Sequence, residues 1–322
     1  MSIKQISEQE CIRAIEQDKT LHADVADGAF TIKIETDTPF ICTAIHDGLR
    51  LRDEIAGNCA LSDAERFYEE DPYTGKFIAD MPITVIGRDS RYEYDLNRPP
   101  QTAIYEEAWG KVVWKTPLTD DQKAESLEKH NTFYRVMRAL YRRVLKKHGA
   151  CLIYDIHSYN YKRMESPDVP AFNIGTEQLD TEKYGDIINH WNETLNAISL
   201  EGETIRSALN EVFYGRGYQA TIAKEFNNTL VLPTEFKKII MDELIGEKAS
   251  ELVSIEVNKL ISEVIFSESD KTRQLVRLVG LRTILEQGII SEKTSEKIKS
   301  YYESDKLDGT KSNIFITYLS II

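Results

Sequence analysis

One α/β domain with a helical C-terminal extension is the fold class that three features of this 322-residue chain predict. Apolar, strand-like runs recur between residues 29 and 236. One long amphipathic helix closes on a glycine, and a strand begins directly behind it. Several strand-like runs stop at a histidine or a glutamate, and ligands of α/β proteins bind beyond the carboxyl ends of strands. No repeat, low-complexity linker or break in composition divides the chain, so a domain over 1–265 with an extension over 266–322 packed on it is expected.

Residues 7–17 read as a short amphipathic helix. AFTIKIE (29–35) and FICTAI (40–45) are strand-like and are separated by the polar turn Thr36-Asp37-Thr38-Pro39. The second run leads into His46-Asp47-Gly48. Residues 60–80 mix acids and aromatics without a clean period, and MPITVIG (81–87) is a further strand, followed by Arg88-Asp89-Ser90-Arg91. The clearest helix is 120–148, where Phe133, Met137, Leu140 and Val144 recur at steps of three and four. Leu127, Tyr134, Tyr141 and Leu145 do so beside them. Lys146, Lys147 and His148 place cations at its negative end, and Gly149 stops it.

CLIYDIHSYNYKR (151–163) opens as a strand over 151–156 and delivers Asp155 and His157. A helix over 181–198 gathers Ile187, Ile188, Trp191, Leu195 and Ile198 on one side. EVFYGRGYQATIAKEF (211–226) reads as two extended runs around Gly215 and Gly217, and TLVLPTEF (229–236) as a strand ending at Glu235. Most of 240–305 is helical in pattern and charged, with Leu275, Leu278 and Leu281 as a packing stripe.

A net charge of −13 opposes general nucleic-acid binding, because phosphate contacts need a surplus of Lys and Arg. A local cluster of cations can still hold an anionic small molecule. Cys11, Cys42, Cys59 and Cys151 show no CxxC spacing and read as buried free thiols. The start, MSIKQISEQECIRAIEQ, lacks a cationic-then-apolar signal pattern, and no apolar run approaches the ~20 residues of a membrane span. A soluble, cytoplasmic protein without membrane contact is expected.

Six histidines are few, and two fall where strands stop. His130 falls on the polar side of the long helix, His190 lies beside Trp191 within a helix, and His22 has no context. His46 and His157 each have an aspartate adjacent or two residues away. Neutral imidazole is the commonest zinc ligand and usually donates its second N–H to a carboxylate or carbonyl. Asp155 shares a strand face with His157 and can take that outer role. A catalytic zinc site commonly combines two histidines with one carboxylate. Neither histidine belongs to an HExxH helix, so the carboxylate comes from elsewhere. FYEEDPYT (67–74) is the best source, although an acidic helix end stopped by Pro72 explains it equally well.

In SRYEYDLNRPP (90–100), Arg91, Asp95 and Asn97 alternate along an extended face, and two prolines keep Arg98 out of a regular ladder. Arg suits two parallel hydrogen bonds to a carboxylate, with an Asn amide beside it. An Arg–Asp surface pair is the plainer reading.

These motifs in this order resemble the zinc carboxypeptidases and, more closely, the N-formylglutamate amidohydrolase family. The likeness rests on His46-Asp47-Gly48, Glu69-Glu70-Asp71-Pro72-Tyr73-Thr74, Ser90-Arg91, Asp95-Leu96-Asn97-Arg98-Pro99, Asp155-Ile156-His157-Ser158, and Glu235-Phe236-Lys237-Lys238 with Met241-Asp242-Glu243. It spans about residues 38–245.

The resemblance implies a three-layer, zinc-peptidase-like fold with a mixed central sheet flanked by helices. It implies a metal-dependent hydrolase that cleaves the N-acyl amide of a carboxylate-bearing amino acid, typified by N-formyl-L-glutamate. By position, His46 and His157 would ligate one zinc ion, or another divalent metal, with Asp71 or its neighbour Glu70 as third ligand. Asn97 and Arg98 would hold the substrate carboxylate, Arg91 would bind substrate or polarise its carbonyl, and Glu235 would be the general base. The carboxypeptidases carry the carboxylate ligand three residues after the first histidine, where this chain has Leu49. Glu235 has a rival in Glu256, although 250–265 reads as a helix striped by Leu252, Ile255 and Leu260.

Two other classes compete. His46-Asp47 as an adjacent ligand pair would make a metal phosphohydrolase, but such pairs normally sit on helices. A degenerate family member would bind a carboxylated ligand or partner without cleaving it. A serine hydrolase is disfavoured because no GxSxG occurs.

Overall fold

A computed structural model describes residues 3–238, apart from 80, 167 and 197–205. The helical reading of 240–305, the extension over 266–322, the leucine stripe and Glu256 lie outside the described residues.

Eleven strands and seven α-helices follow one another as β1 (Lys4–Ile6), α1 (Glu8–Glu16), β2 (Leu21–Val25), β3 (Phe30–Ile34), β4 (Phe40–Ala44), α2 (Asp53–Ala56), α3 (Asp63–Glu69), α4 (Thr74–Phe77) and β5 (Ile83–Gly87) among the described residues. Next come β6 (Glu107–Ala108), β7 (Lys111–Val112), α5 (Asp120–His148), β8 (Cys151–Tyr159), β9 (Phe172–Ile174), α6 (Thr181–Asn196), β10 (Ser207–Leu209), α7 (Tyr218–Ala223) and β11 (Thr229–Lys237). One mixed sheet carries nine strands in the order β1-β2-β3-β5-β4-β8-β11-β9-β10. Its central four, β5, β4, β8 and β11, are parallel. All five residues of β4 and all nine of β8 are buried, as strands covered on both faces must be.

Period-two alternation distributes these strands between two cores. Phe40, Cys42, Leu152, Tyr154 and Leu232 pack with Ile187, Ile188 and Trp191 of α6. Ile41, Cys151, Ile153 and Val231 face Phe133, Met137 and Leu140 of α5. The architecture is three-layered: helix, mixed sheet, helix. All four cysteines are buried free thiols, as expected.

The long helix spans the predicted residues, capped by Thr119 and Gln122 at its start and stopped by Gly149, whose φ of 75° suits glycine. Four expectations are corrected. Strand β8 continues to Tyr159, so His157 lies inside a strand rather than at its end. Residues 90–98 form turns instead of an extended face, because Glu93 and Arg98 amides donate back to Ser90 and Asp95 carbonyls. Residues 218–223 are helical, with Gln219, Ala220, Ile222 and Ala223 buried one turn apart. His130 is fully buried on α5 and meets the Arg98 carbonyl at 2.9 Å.

The turn before β4 is clamped from α5. Arg143 donates to Asp37 Oδ1 at 2.8 Å and to the Lys19 carbonyl at 2.7 Å, while Lys147 reaches Asp37 Oδ2 at 2.9 Å. Burial works to raise the Asp37 pKa, but these cations outweigh it and hold the carboxyl below its ordinary value. Because the folded value lies below the unfolded one, this contribution is complete above the unfolded pKa and is lost as pH falls through the folded one. Asp37→Asn is therefore expected to cost about 1–3 kcal/mol at neutral pH. Urea denaturation should show the gap to wild type closing below about pH 4.

Candidate active site

Strands β4, β8 and β11 run parallel, so their carboxyl ends open on one edge of the sheet. The chain leaves β5 and crosses over β4 to reach β8, which makes β4 a switch point of the kind where ligands bind. Just past β4, Gly48 passes so close to Arg88 that a Cβ there would lie 2.1 Å from the Arg88 carbonyl carbon. That approach lets Arg50 and Arg88–Ser90 exchange backbone hydrogen bonds, which brings the Arg91 turn beside His46.

Asp71 follows the C-terminal end of α3, and its amide donates to the His46 carbonyl at 3.0 Å. Lys238 fixes that helix end by donating to the carbonyls of Tyr68 (2.9 Å) and Glu70 (2.7 Å), with the Asn160 amide also on Tyr68 at 2.6 Å. Cations at a helix C-terminus offset its dipole. Residues 67–74 are an acidic helix end, and they also bring Asp71 beside the two histidines.

The two imidazoles lie with ring centroids 5.1 Å apart. His46 Nε2 is 2.8 Å from Asp95 Oδ1, and His157 Nε2 is 3.0 Å from Asp155 Oδ2. With both Nε2–H bonds given to carboxylates, both Nδ1 atoms turn to Asp71 Oδ2, at 3.4 and 3.1 Å. These three donor atoms lie within 4.8 Å of one another, and all three residues are buried. Leu49, the carboxypeptidase-like position, is exposed and offers only its carbonyl, to Arg66.

A tetrahedral zinc ion with bonds of about 2.0–2.1 Å spaces its ligands by about 3.3 Å, close to both observed separations. Two imidazole nitrogens, one carboxylate oxygen and a carboxylate behind each ring fit a divalent metal chemically. The electrostatics agree. Burial works to lower His157, yet Asp155 and Asp71 outweigh it and raise it well above its ordinary value. Burial would raise Asp71, yet Arg91 and the two rings hold it well below. The cluster favours a positive charge at its centre.

Arg91 packs against His46 Nδ1, 3.6 Å from Asp71 Oδ2 and 3.7 Å from Glu70 Oε2. Glu70 is turned away from the histidines: it accepts from the Ser90 hydroxyl and the Arg91 amide, and burial pushes it up to about 8. Glu235 stands in register with His157 on the neighbouring strand and accepts no hydrogen bond from a described residue. Burial pushes its carboxyl up to about 7, against the pull of His157 and Arg91.

His46, Asp71, His157, Glu235, Arg91, Asn97 and Arg98 all line one cavity of about 310 Å³. Arg98 is exposed, and its guanidinium forms no ion pair with a described residue. Asp47 stays outside: its oxygens take the Gly75 amide at 2.9 Å and Arg88 at 3.5 Å, which removes the adjacent His46-Asp47 ligand pair. Several contributors were not singled out by sequence. Asp95, part of a motif but given no role by sequence, orients His46 and accepts from the Asn97 backbone amide at 2.7 Å and from the Tyr105 hydroxyl. Thr43, Tyr105, Trp109 and Gln219 carry no local signal.

A family profile described as N-formylglutamate amidohydrolase matches residues 38–237, more than half the chain. The chain belongs to that family. It is accordingly a hydrolase of amide C–N bonds. The crystal structure of an N-formylglutamate amidohydrolase from Ralstonia eutropha JMP134 resembles it with a TM-score of 0.51 at 16% identity, covering 76% of this chain and 98% of that one. A gene product of Agrobacterium tumefaciens aligns with a TM-score of 0.52 at 13% identity, covering 77% and 96%. These likenesses support the fold. No curated protein sequence matches the chain. No helix among the described residues is long and apolar enough to cross a membrane.

The donor set leads to a direct measurement. Purified protein should retain one divalent ion by elemental analysis. His157→Ala should lose it while its far-UV circular dichroism is unchanged; full retention would show that the three donors do not act together.

Proposed function

We propose that this family member is a metal-dependent amidohydrolase that cleaves the N-acyl, and specifically N-formyl, amide of a carboxylate-bearing amino acid such as N-formyl-L-glutamate. The observation that carries the reading is the convergence of His46 Nδ1, Asp71 Oδ2 and His157 Nδ1 beside Glu235, in a cavity that also presents the Arg98 guanidinium, which pairs with no acid among the described residues. His46, Asp71 and His157 would hold the ion, with zinc the first candidate for a two-histidine, one-carboxylate set. A divalent metal there would polarise the scissile carbonyl and make water more acidic.

The chain's own residues divide the remaining work. Arg98, with the Asn97 amide beside it, takes the substrate carboxylate and fixes the amide in the cavity. Orientation of this kind removes much of the entropic barrier. Arg91, already paired with Asp71, directs its remaining donors at the carbonyl oxygen as negative charge develops there. Glu235 removes a proton from the attacking water and returns it to the departing nitrogen. A carboxyl whose ordinary value is raised to about 7 is suited to both halves of that transfer. The bond that forms joins water oxygen to the acyl carbon, and the C–N bond breaks to give formate and the free amino acid.

Glu235→Gln should lower kcat by about 10²–10⁴-fold with metal content retained. Arg98→Met should act mainly on KM, raising it about 10–100-fold for the loss of one charged hydrogen-bonded pair. Both are read by assaying free amine released from N-formyl-L-glutamate. Metal-loaded wild type that releases none from any N-acyl amino acid would overturn the assignment.

A further inference from the structure

Behind His157, away from the cavity, three fully buried polar side chains form a chain on the otherwise apolar face packed by α5 and α7. Asp155 Oδ2 meets His157 Nε2, and Asp155 Oδ1 accepts from the Thr43 hydroxyl at 2.7 Å. Thr43 is the register partner of Asp155 on β4. Thr43 Oγ1 in turn accepts from Gln219 Nε2 at 3.0 Å. Thr43 and Gln219 are both 0% exposed, which makes any uncompensated polar atom there costly.

The direction of this chain is forced. The Thr43 hydroxyl has one proton, and it goes to Asp155 Oδ1, so the oxygen can only accept from Gln219. That fixes the Gln219 amide with nitrogen towards Thr43 and leaves Oε1 buried with no partner. An apolar residue of similar shape at 219 would avoid this penalty. Gln219 is the second residue of α7, whose first residue, Tyr218, donates its amide to the Asn97 carbonyl at 3.2 Å. The helix that carries the far end of the chain is thereby tied to the turn that bears Asn97 and Arg98.

We infer that Thr43 and Gln219 are positioning residues for the metal centre: the donor chain Gln219→Thr43→Asp155 fixes the Asp155 carboxylate, which holds the His157 ring with Nε2 towards Asp155 and Nδ1 towards Asp71. The inference rests on His157 being a metal ligand. Its counterpart on the other ring is Asp95, which receives the Tyr105 hydroxyl and the Asn97 amide. Loss of outer partners of this kind typically costs 10–100-fold in metal affinity.

The test is zinc affinity by chelator competition, with wild type, Thr43→Val and Thr43→Ser compared. Val keeps the shape and removes the hydroxyl, and Ser keeps the hydroxyl. Thr43→Val should weaken zinc binding about 10–100-fold and Thr43→Ser should restore it. In an Asp155→Asn background, Thr43→Val should cause no further loss. A residue that serves the fold alone would lower the Tm of metal-free protein and leave zinc affinity untouched, and that result overturns the inference. If Thr43→Val does not fold, Gln219→Met replaces it, with weakened zinc binding again expected and unchanged affinity again decisive against. Wild type that takes up no zinc overturns the ligand assignment and the chain's role with it. Wild type and Thr43→Val binding zinc equally overturns the chain alone.

Discussion

Two imidazole rings can share one cation only if something outside the site decides which nitrogen each presents. Here Asp95 and Asp155 decide it. Each takes an Nε2–H at 2.8–3.0 Å, and the opposite nitrogens then face a single oxygen of Asp71. Without those two contacts either ring could turn about χ2, and the remaining residues would surround a cavity with no fixed chemistry. The carboxylates are themselves held by donors that cannot easily leave: the Asn97 amide, the Tyr105 hydroxyl and the Thr43 hydroxyl. Orientation is transmitted inward from the scaffold.

The sheet makes this arrangement inexpensive to assemble. Parallel neighbours carry residues in register on one face, so Thr43 against Asp155, and His157 against Glu235, follow from strand pairing alone. Adjacent strands lie about 4.8 Å apart, which places Glu235 one strand away from His157 without a loop to position it. His46, Asp71 and Arg91 come instead from connections after β4, α3 and β5. Those connections are stitched together by backbone bonds, Asp71 N to His46 O and Ser90 N to Arg50 O, and by the space that Gly48 leaves for Arg88.

Much of this was legible in the chain because it is local. The three-to-four spacing of α5, its capping residues and Gly149 need no tertiary partner, and β4, β5, β8 and β11 announce themselves as short runs of apolar residues. His46 and His157 stood out because polar side chains near the carboxyl ends of such runs are costly unless used. What escaped reading is what distance controls. The turns over 90–98 send Tyr92 into a small cluster with Val113 and Trp114, and Tyr94 and Leu96 into the core beneath α5, which local spacing does not specify. His130 lies on a helix flank that looks polar, yet it is covered by Tyr134 of its own helix and by Tyr94 and Tyr218 from distant parts of the chain. Gln219 lies in a stretch whose two glycines suggested extended chain, although Gly217 serves as the N-cap of α7. Asp71 and Glu70 are indistinguishable by sequence; in the fold the Ser90 hydroxyl draws Glu70 away while Asp71 faces the two rings.

Charge distribution explains how so acidic a chain can hold an anionic substrate. Five cations line the cavity, but they are not equivalent. Arg163 is committed to Glu69 at 2.7 Å, Arg216 to Glu177 at 2.8 Å, and Lys238 to two helix-end carbonyls. Arg91 is enclosed by Glu70, Asp71 and His46, and its charge is spent before any ligand arrives. A guanidinium in that position has little to offer a carboxylate, but on the proposed reading it would keep directional N–H bonds for an oxygen that becomes negative only during reaction. Arg98 faces solvent with its charge uncompensated by any described residue, and a second anion can neutralise it without displacing a protein partner. On the proposed reading, what surrounds each arginine would separate binding from catalysis: the buried one would act on the reacting carbonyl, and the exposed one on the substrate carboxylate.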